Sequence, residues 1–415
     1  VKKLLFIIAV VTAMLAGCFS GGKLTYINFA SLYDDTENFT HAPAMVFHAG
    51  DSVSTVFVKV RLKDLLYAKQ EKDPMLKARF MTSYEVYPSF ESKLIVDSGS
   101  AVFCDSLNFG TEMEMIVNFN VKVKFPGTYL LYLNFTDLNR ERTVGSFYTI
   151  GKESVLSRQN FMAKAADDLP LFDPWINADS RLKILYNRPV TGALFVRYYH
   201  RTFPLALPPF VPEKERIFRF GADSVFLLPL VNGESALFSL EKEGIYHFQV
   251  DSSSREGLTL FRFHEGFPEV ETPREAIRPL RYLTTDKEYE RLLNGTDQKQ
   301  AVDSFWIERA GNPERAVTMI RKYYTRVSEA NRWFSSYHEG WKTDRGIIYI
   351  VYGKPTYVYR TSDAEEWIYG EQGNPLSIKF IFRRVNNPFS DNDFGITKSV
   401  AYKQSWYLAI ESWRR

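Results

Sequence analysis

Cysteine is scarce: Cys18 and Cys104 are the only two in 415 residues. A thiolate metal cluster or a disulfide framework is therefore excluded. Histidine is nearly as sparse. His41, His48, His200, His247, His264 and His338 include no pair at the i, i+4 spacing of a helical metal site. No G-x-S-x-G elbow, Walker loop or G-x-G-x-x-G is present, which removes the commonest signatures of hydrolases and nucleotide enzymes. Charge of one sign is also missing. Lys and Arg total 52 against 49 Asp and Glu, and without a long basic stripe nucleic acid is not an expected partner. Low-complexity segments and long linkers are absent, and only Leu4–Leu15 forms an extended apolar run.

That run is informative. Lys2 and Lys3 precede about a dozen mostly apolar residues, which close on Leu15-Ala16-Gly17-Cys18. A secretory signal has this shape, whereas a transmembrane helix needs roughly 20 apolar residues. The L-A-G-C ending resembles the lipobox of bacterial lipoproteins. The resemblance implies that residues 1–17 are a signal peptide and that Cys18 carries the lipid as the new amino terminus. Each buried methylene contributes about 0.8 kcal/mol, so several acyl chains anchor durably. Phe19 and Ser20 are not the acidic pair of inner-membrane retention, and Gly21-Gly22-Lys23 lacks the acidic run of surface export. The expectation is an outer-membrane lipoprotein facing the periplasm, with residues 18–23 as tether and no cofactor besides the lipid on Cys18. With Cys18 acylated, Cys104 has no disulfide partner; within Ala101–Asp105 it reads as a buried small hydrophobe on a strand.

Aromatic residues make up 15% of the chain, an excess that suits strands or contact surfaces. From residue 24 to 150 period-two alternation recurs between turn residues, notably in Ser54–Leu62 and Met115–Val123. This predicts a first β-sandwich of Ig-like type. A second β block covers 151–268. Its late segment Gly244-Ile245-Tyr246 repeats the Gly-x-Tyr of Gly127-Thr128-Tyr129. Duplication of one sandwich unit explains the repeat, as do two independent late strands. Between strands, Phe203–Pro212 holds four prolines and reads as an exposed contact loop.

Residues 269–415 change character. Thr272-Pro273 looks like a capped helix start, Asp286–Leu293 continues helically, and Gln298–Ala310 and Glu314–His338 read as an antiparallel helix pair broken at Gly311-Asn312-Pro313. Strand patterns are read at Ile347–Tyr352, Thr356–Tyr359, Glu366–Tyr369, Ser377–Arg383 and Ser405–Ile410. The predicted fold class is mainly β: two tandem sandwiches, then an α+β part with a helix pair and a small antiparallel sheet.

Gly340-Trp341-Lys342-Thr343-Asp344 followed by Arg345-Gly346-Ile347-Ile348-Tyr349-Ile350-Val351-Tyr352-Gly353-Lys354-Pro355 resembles the signature of the GWxTD-domain family. Phe305-Trp306 with Arg309, Tyr324 to Phe334, and Glu366-Trp367-Ile368-Tyr369 match as well. The resemblance covers roughly 285–415. It implies an origin in Bacteroidota and an architecture, not an activity. Family members often carry a basic residue near Ile347; the apolar residue here implies a more buried strand. Physically, Gly340 suits a helix end needing positive φ, and Trp341 a helix–sheet seam. Thr343 or Asp344 can bond turn amides, Arg345 can pair with Asp344 or another acid, Gly346 supplies conformational freedom, and Gly353-x-Pro355 ends a strand.

Chemistry has few footholds. Asp344 with His338 is the one acid–base pairing the motif offers a hydrolase. The adjacent pairs Asp34-Asp35 and Asp167-Asp168 read as solvated loops, and Asp391-Asn392-Asp393 lacks the remaining ligands of a calcium loop. Exposed Trp175, Trp367, Trp406 and Trp413 would favour glycan or peptidoglycan binding. The leading expectation is a structural or interaction subunit of an envelope complex, with outer-membrane proteins as partners. The β-barrel assembly machinery is the first candidate, and type IX secretion the second.

Overall fold

Alternation along β2 (Val53–Arg61) puts Ser54, Val56, Val58 and Val60 on one face, and all four are buried. This is the period-two signature of a strand with one face on a core. The computed structural model describes residues 24–33, 42–70, 73–106, 114–190, 192–213 and 218–415. Cys18, the rest of the expected leader and tether, His41 and Asp34-Asp35 lie outside the described residues.

β2 lies between β1 (Ala44–His48) and β6 (Glu114–Lys122) in a three-stranded sheet. Facing it are β3 (Ala68–Gln70), β4 (Asp73–Tyr87), β7 (Gly127–Asp137) and β8 (Arg142–Lys152), with β5 (Asp97–Ser106) also paired to β4. Val56, Val58, Val117 and Val121 meet Phe80, Leu131, Leu133 and Ile150 between the sheets, which is the packing of a sandwich. Cys104 departs from expectation. β5 alternates as read, but Cys104 shares the outward face with Val102 and is exposed.

The second block is one antiparallel sheet in the order β15-β14-β11-β12-β13-β10-β9. Its strands are β9 (Phe161–Ala165), β10 (Leu182–Tyr186), β11 (Gly192–Tyr199), β12 (Ser224–Val231), β13 (Glu234–Ser235), β14 (Gly244–Gln249) and β15 (Leu258–Arg262). Phe161, Ile184, Val196, Phe248 and Leu260 share its core, giving a sandwich-like unit. The Gly-x-Tyr repeat has a common geometry. Tyr129 donates to the Lys124 carbonyl at 3.1 Å and Tyr246 to the Lys242 carbonyl at 2.9 Å. Both phenols thus pin the turn that starts their own strand, as tyrosine corners do in sandwiches.

His247 on β14 is fully enclosed, with Nδ1 2.9 Å from Thr259 Oγ1 and Nε2 3.2 Å from the Arg255 carbonyl. Burial, assisted by the charge of Arg197, pulls its pKa from 6.5 to about 4. The unfolded chain takes up this proton near pH 6.5, so the neutral ring's contribution is complete above that pH and is lost as pH falls through the folded value. Urea unfolding of the full chain is expected to lose roughly 2–3 kcal/mol from this group between those pH values. His247→Gln should remove that part of the slope; an unaltered slope assigns the loss elsewhere.

The last part begins with helix α1 (Pro273–Ile277), followed by α2 (Asp286–Leu293), α3 (Gln298–Ala310) and α4 (Pro313–Phe334). The start read at Thr272 and the break read at Gly311-Asn312-Pro313 are present, whereas the long helix read to His338 ends at Phe334. Thr272 and Thr285 form capping boxes with Glu275 and Glu288, Gly311 at φ 76° ends α3, and Asn312 caps α4. Two expected strands are helices instead: α5 (Asp344–Tyr352) and α6 (Tyr402–Arg414). The sheet is β16 (Tyr357–Arg360), β17 (Ala364–Tyr369), β18 (Ile378–Arg384) and β19 (Phe394–Ile396), paired in that order. Trp413 of α6 stacks edge-on to Tyr323 and donates to the Val351 carbonyl at 3.0 Å, so α6 closes the helical core.

Two distant segments complete this unit. Phe29 donates its backbone N–H to the Val358 carbonyl at 2.8 Å, and Phe29, Ala30 and Tyr33 are buried in the same core. The proline-rich loop is not a free contact element. The buried Ala206 donates its N–H to the Lys342 carbonyl at 2.9 Å, and Phe203 packs on Tyr337.

Candidate functional site

Every residue from Phe334 to Val351 is buried, so all of the motif but its end, where Tyr352 is half-buried and Lys354 exposed, lies inside the unit. α4 supplies its platform. Asn331 accepts the Trp341 N–H at 3.1 Å through Oδ1 and donates through Nδ2 to the Pro268 carbonyl at 2.9 Å. Ser335 Oγ accepts the Gly340 N–H at 2.9 Å. The chain then makes a 3-10 turn over Gly340–Lys342 and enters α5. Thr343 is the N-cap: its Oγ1 accepts the Gly346 N–H at 3.0 Å and donates to the Gly340 carbonyl at 2.8 Å.

The glycines serve close approach, not the positive φ or freedom expected. A Cβ on Gly340 would overlap the Ala330 carbonyl oxygen and lie 2.6 Å from its carbon. A Cβ on Gly346 would overlap the Gly340 carbonyl in turn. Three backbones therefore touch where only hydrogen fits. Gly353 alone needs positive φ, at 88°, and it ends α5 rather than a strand. Arg326 donates to the Ile350 carbonyl there at 3.0 Å, and Tyr369 to the Gly353 carbonyl at 2.7 Å. Pro355, also buried, follows.

Trp341 is buried edge-on to Tyr282, with the Arg278 guanidinium 5.5 Å from its ring centroid. Tyr349 donates to Glu329 Oε2 at 2.8 Å, and burial raises its phenol pKa far above the ordinary range. Tyr352 pairs with Ser405 of α6 at 3.2 Å. Asp344 accepts from Lys398 Nζ at 2.8 Å and from the Ile396 N–H at 3.2 Å, tying α5 to β19. His338, the suggested partner of Asp344, instead stacks with Tyr337 and Phe203.

Arg345 pairs with Glu365 of β17, not with Asp344. Its Nη1 lies 3.3 Å from Glu365 Oε2, its Nη2 donates to the Asn392 carbonyl at 3.0 Å, and its guanidinium stacks 4.2 Å from the Phe394 centroid. Arg360 reaches the same carboxylate oxygen at 3.3 Å. Oε1 accepts from Trp367 Nε1 at 2.7 Å and from the Tyr33 hydroxyl. Burial pushes the Glu365 carboxyl up, but Arg360 and Arg345, with the Tyr33 and Trp367 donors, outweigh it and hold the pKa below the ordinary value. Burial pushes the Tyr33 phenol up to about 12. This ion cluster is the electrostatic centre of the unit, and of its members sequence reasoning named Arg345, Trp367 and, as part of a calcium-loop candidate, Asn392.

Trp367, Trp406 and Trp413 are buried and Trp175 is half-buried against Phe267, so they offer no solvent-facing shelf for a glycan. Among the described residues no group of three His, Cys, Asp or Glu side chains could hold a metal ion. At the former calcium candidate, Asn392 serves Arg345 and Asp393 accepts from Asn387.

The family model described as the GWxTD domain matches residues 244–415, beginning at the first residue of β14. No curated protein matches the chain. Among solved structures, red sea bream transglutaminase aligns at 9% identity with a TM-score of 0.18, covering 55% of this chain and 32% of that one. So loose a superposition carries no argument.

Proposed function

With residues 244–415 belonging to the GWxTD-domain family, we propose that the chain is a bacterial lipoprotein, held on the outer membrane through Cys18, that works by contact with other envelope proteins. The observation that carries this reading is on β12. Val225, Phe226, Leu227 and Val231 stand 52%, 41%, 60% and 67% exposed on one strand. Beyond β11, β12 pairs among the described residues only with two-residue β13, at Leu230 and Val231. Ser224–Pro229 thus has an open edge with apolar side chains, a surface that pairs with another strand unless covered. The motif side chains support the same reading, since their bonds run within the chain and brace a framework.

The test is crosslinking in native membranes followed by affinity isolation. The full chain is expected to bring down one defined set of envelope proteins; the β-barrel assembly machinery is the complex to look for first, the type IX secretion apparatus second. Leu227→Lys should lose that set while the protein stays in the envelope fraction. Cys18→Ser should abolish both sedimentation with membranes and labelling by a palmitate analogue. Recovery of the free monomer, or an acyl-free chain that still sediments, defeats the proposal.

A further inference from the structure

Where the three units meet, a cleft of about 680 Å³ is walled by Phe90 and Leu130 of the first sandwich, Arg255 of the second, and Arg384, Asn387 and Asp391 of the last. Phe90, Leu130, Thr149, Arg384 and Asp391 also line a smaller chamber of about 120 Å³ that ends at Arg345, Arg360 and Glu365. The cleft is therefore the mouth and the chamber its floor.

Among the described residues two donors in this floor have nothing to bond. The Nε–H groups of Arg360 and Arg384 are both buried without an acceptor. Arg360 at least spends its Nη2 on Tyr33 and Glu365. Arg384 has no salt bridge among the described residues; its guanidinium lies 5.4 Å from the face of Phe394, whose ring Arg345 also covers. Burial lowers the Arg384 pKa, and Arg345 and Arg360 lower it further against the opposing pull of Asp391. Folded proteins rarely leave buried charged donors unfilled, and each instance asks for a missing partner. Three guanidiniums face two carboxylates, Glu365 and Asp391, in the chamber. One positive charge is left over.

We propose that the chamber binds the carboxylate of a small organic acid or of a peptide C-terminus, with the rest of that ligand in the junction cleft. A carboxylate accepts from two N–H donors at once and matches guanidinium geometry. Its single charge cancels the excess, whereas a phosphate dianion would reverse it beside Asp391. The cleft volume falls in the range of small-molecule sites. This site is independent of the membrane anchor and of the β12 edge.

Titration calorimetry on the full chain at constant ionic strength tests it, with acetate, N-acetyl-diglycine, its C-terminal amide and inorganic phosphate as probes. The free-acid peptide is expected to bind at least tenfold more tightly than its amide. Arg384→Gln should weaken it at least tenfold, and Arg384→Lys less. Asp391→Asn, which raises the excess charge, should tighten it. Acetate binding as well as the peptide points to free acids; a tighter peptide points to chain termini. Equal binding of acid and amide, tighter binding of phosphate, or no weakening in folded Arg384→Gln overturns the assignment. If Arg384→Gln does not fold, weaker or unchanged binding in Asp391→Asn does so.

Discussion

Glu365→Gln is expected to destabilise the chain by roughly 3–5 kcal/mol, the cost of breaking a buried ion pair from one side. Glutamine keeps the shape but leaves Arg345, which is out of water, and the half-buried Arg360 facing a neutral amide. The side chains of Glu365 and Arg345 are only 2% and 3% exposed, so solvent cannot take over. The carboxylate also accepts from both Tyr33 and Trp367 through Oε1; an amide nitrogen placed there accepts from neither, and placed at Oε2 it faces the two guanidiniums. Denaturant unfolding at pH 7 measures the loss; a change below about 1 kcal/mol would show that the cluster is not buried as described. Acid should mimic the variant. The folded pKa lies below the ordinary 4.5. The wild-type contribution is therefore intact above that value and disappears as pH falls through the folded one. The variant lacks this limb of the pH profile.

Gly340→Ala should cost roughly 3 kcal/mol or more, at the upper end for overpacking, because the obstacle is backbone. The added methyl would meet the Ala330 carbonyl on α4 and lie 2.8 Å from the Asn331 Cα, and neither can rotate away. Relief requires the 3-10 turn to lift, which strains the Trp341 N–H bond to Asn331 and the Thr343 cap. Gly50→Ala is the matched control: it has open space around its Cβ position, and thermal unfolding should barely change. Equal melting temperatures for the two variants would remove close approach as the reason for glycine at 340.

Most elements announced themselves. β2, β6, β7 and α1 to α4 follow from alternation, caps and breakers, because local physics and the fold agree there. α5 did not. Ile347–Val351 is an unbroken apolar run buried on all sides, and such a run has no period to separate strand from helix. The deciding signal lay at its ends, where Thr343 caps and Gly353 stops. In α6 the spacing of Tyr402, Trp406 and Trp413 is helical, but the window Ser405–Ile410 was too short to reveal it. Cys104 shows another limit: alternation gives two faces without saying which is inward. The ion cluster was hidden because its members are far apart in sequence. One clue was local, since Glu365 shares strand parity with Trp367 and both point inward.

The strap of residues 24–33 sets an order of events. Tyr33 meets Glu365 across 332 positions of sequence, and Asn28 Oδ1 accepts the Val358 N–H at 2.9 Å. Contacts that close so long a loop form late, after the intervening units have condensed and brought the ends together. Residues 24–33 are thus expected to dock among the last, and until they do the unit holding β17 keeps its central acid uncovered.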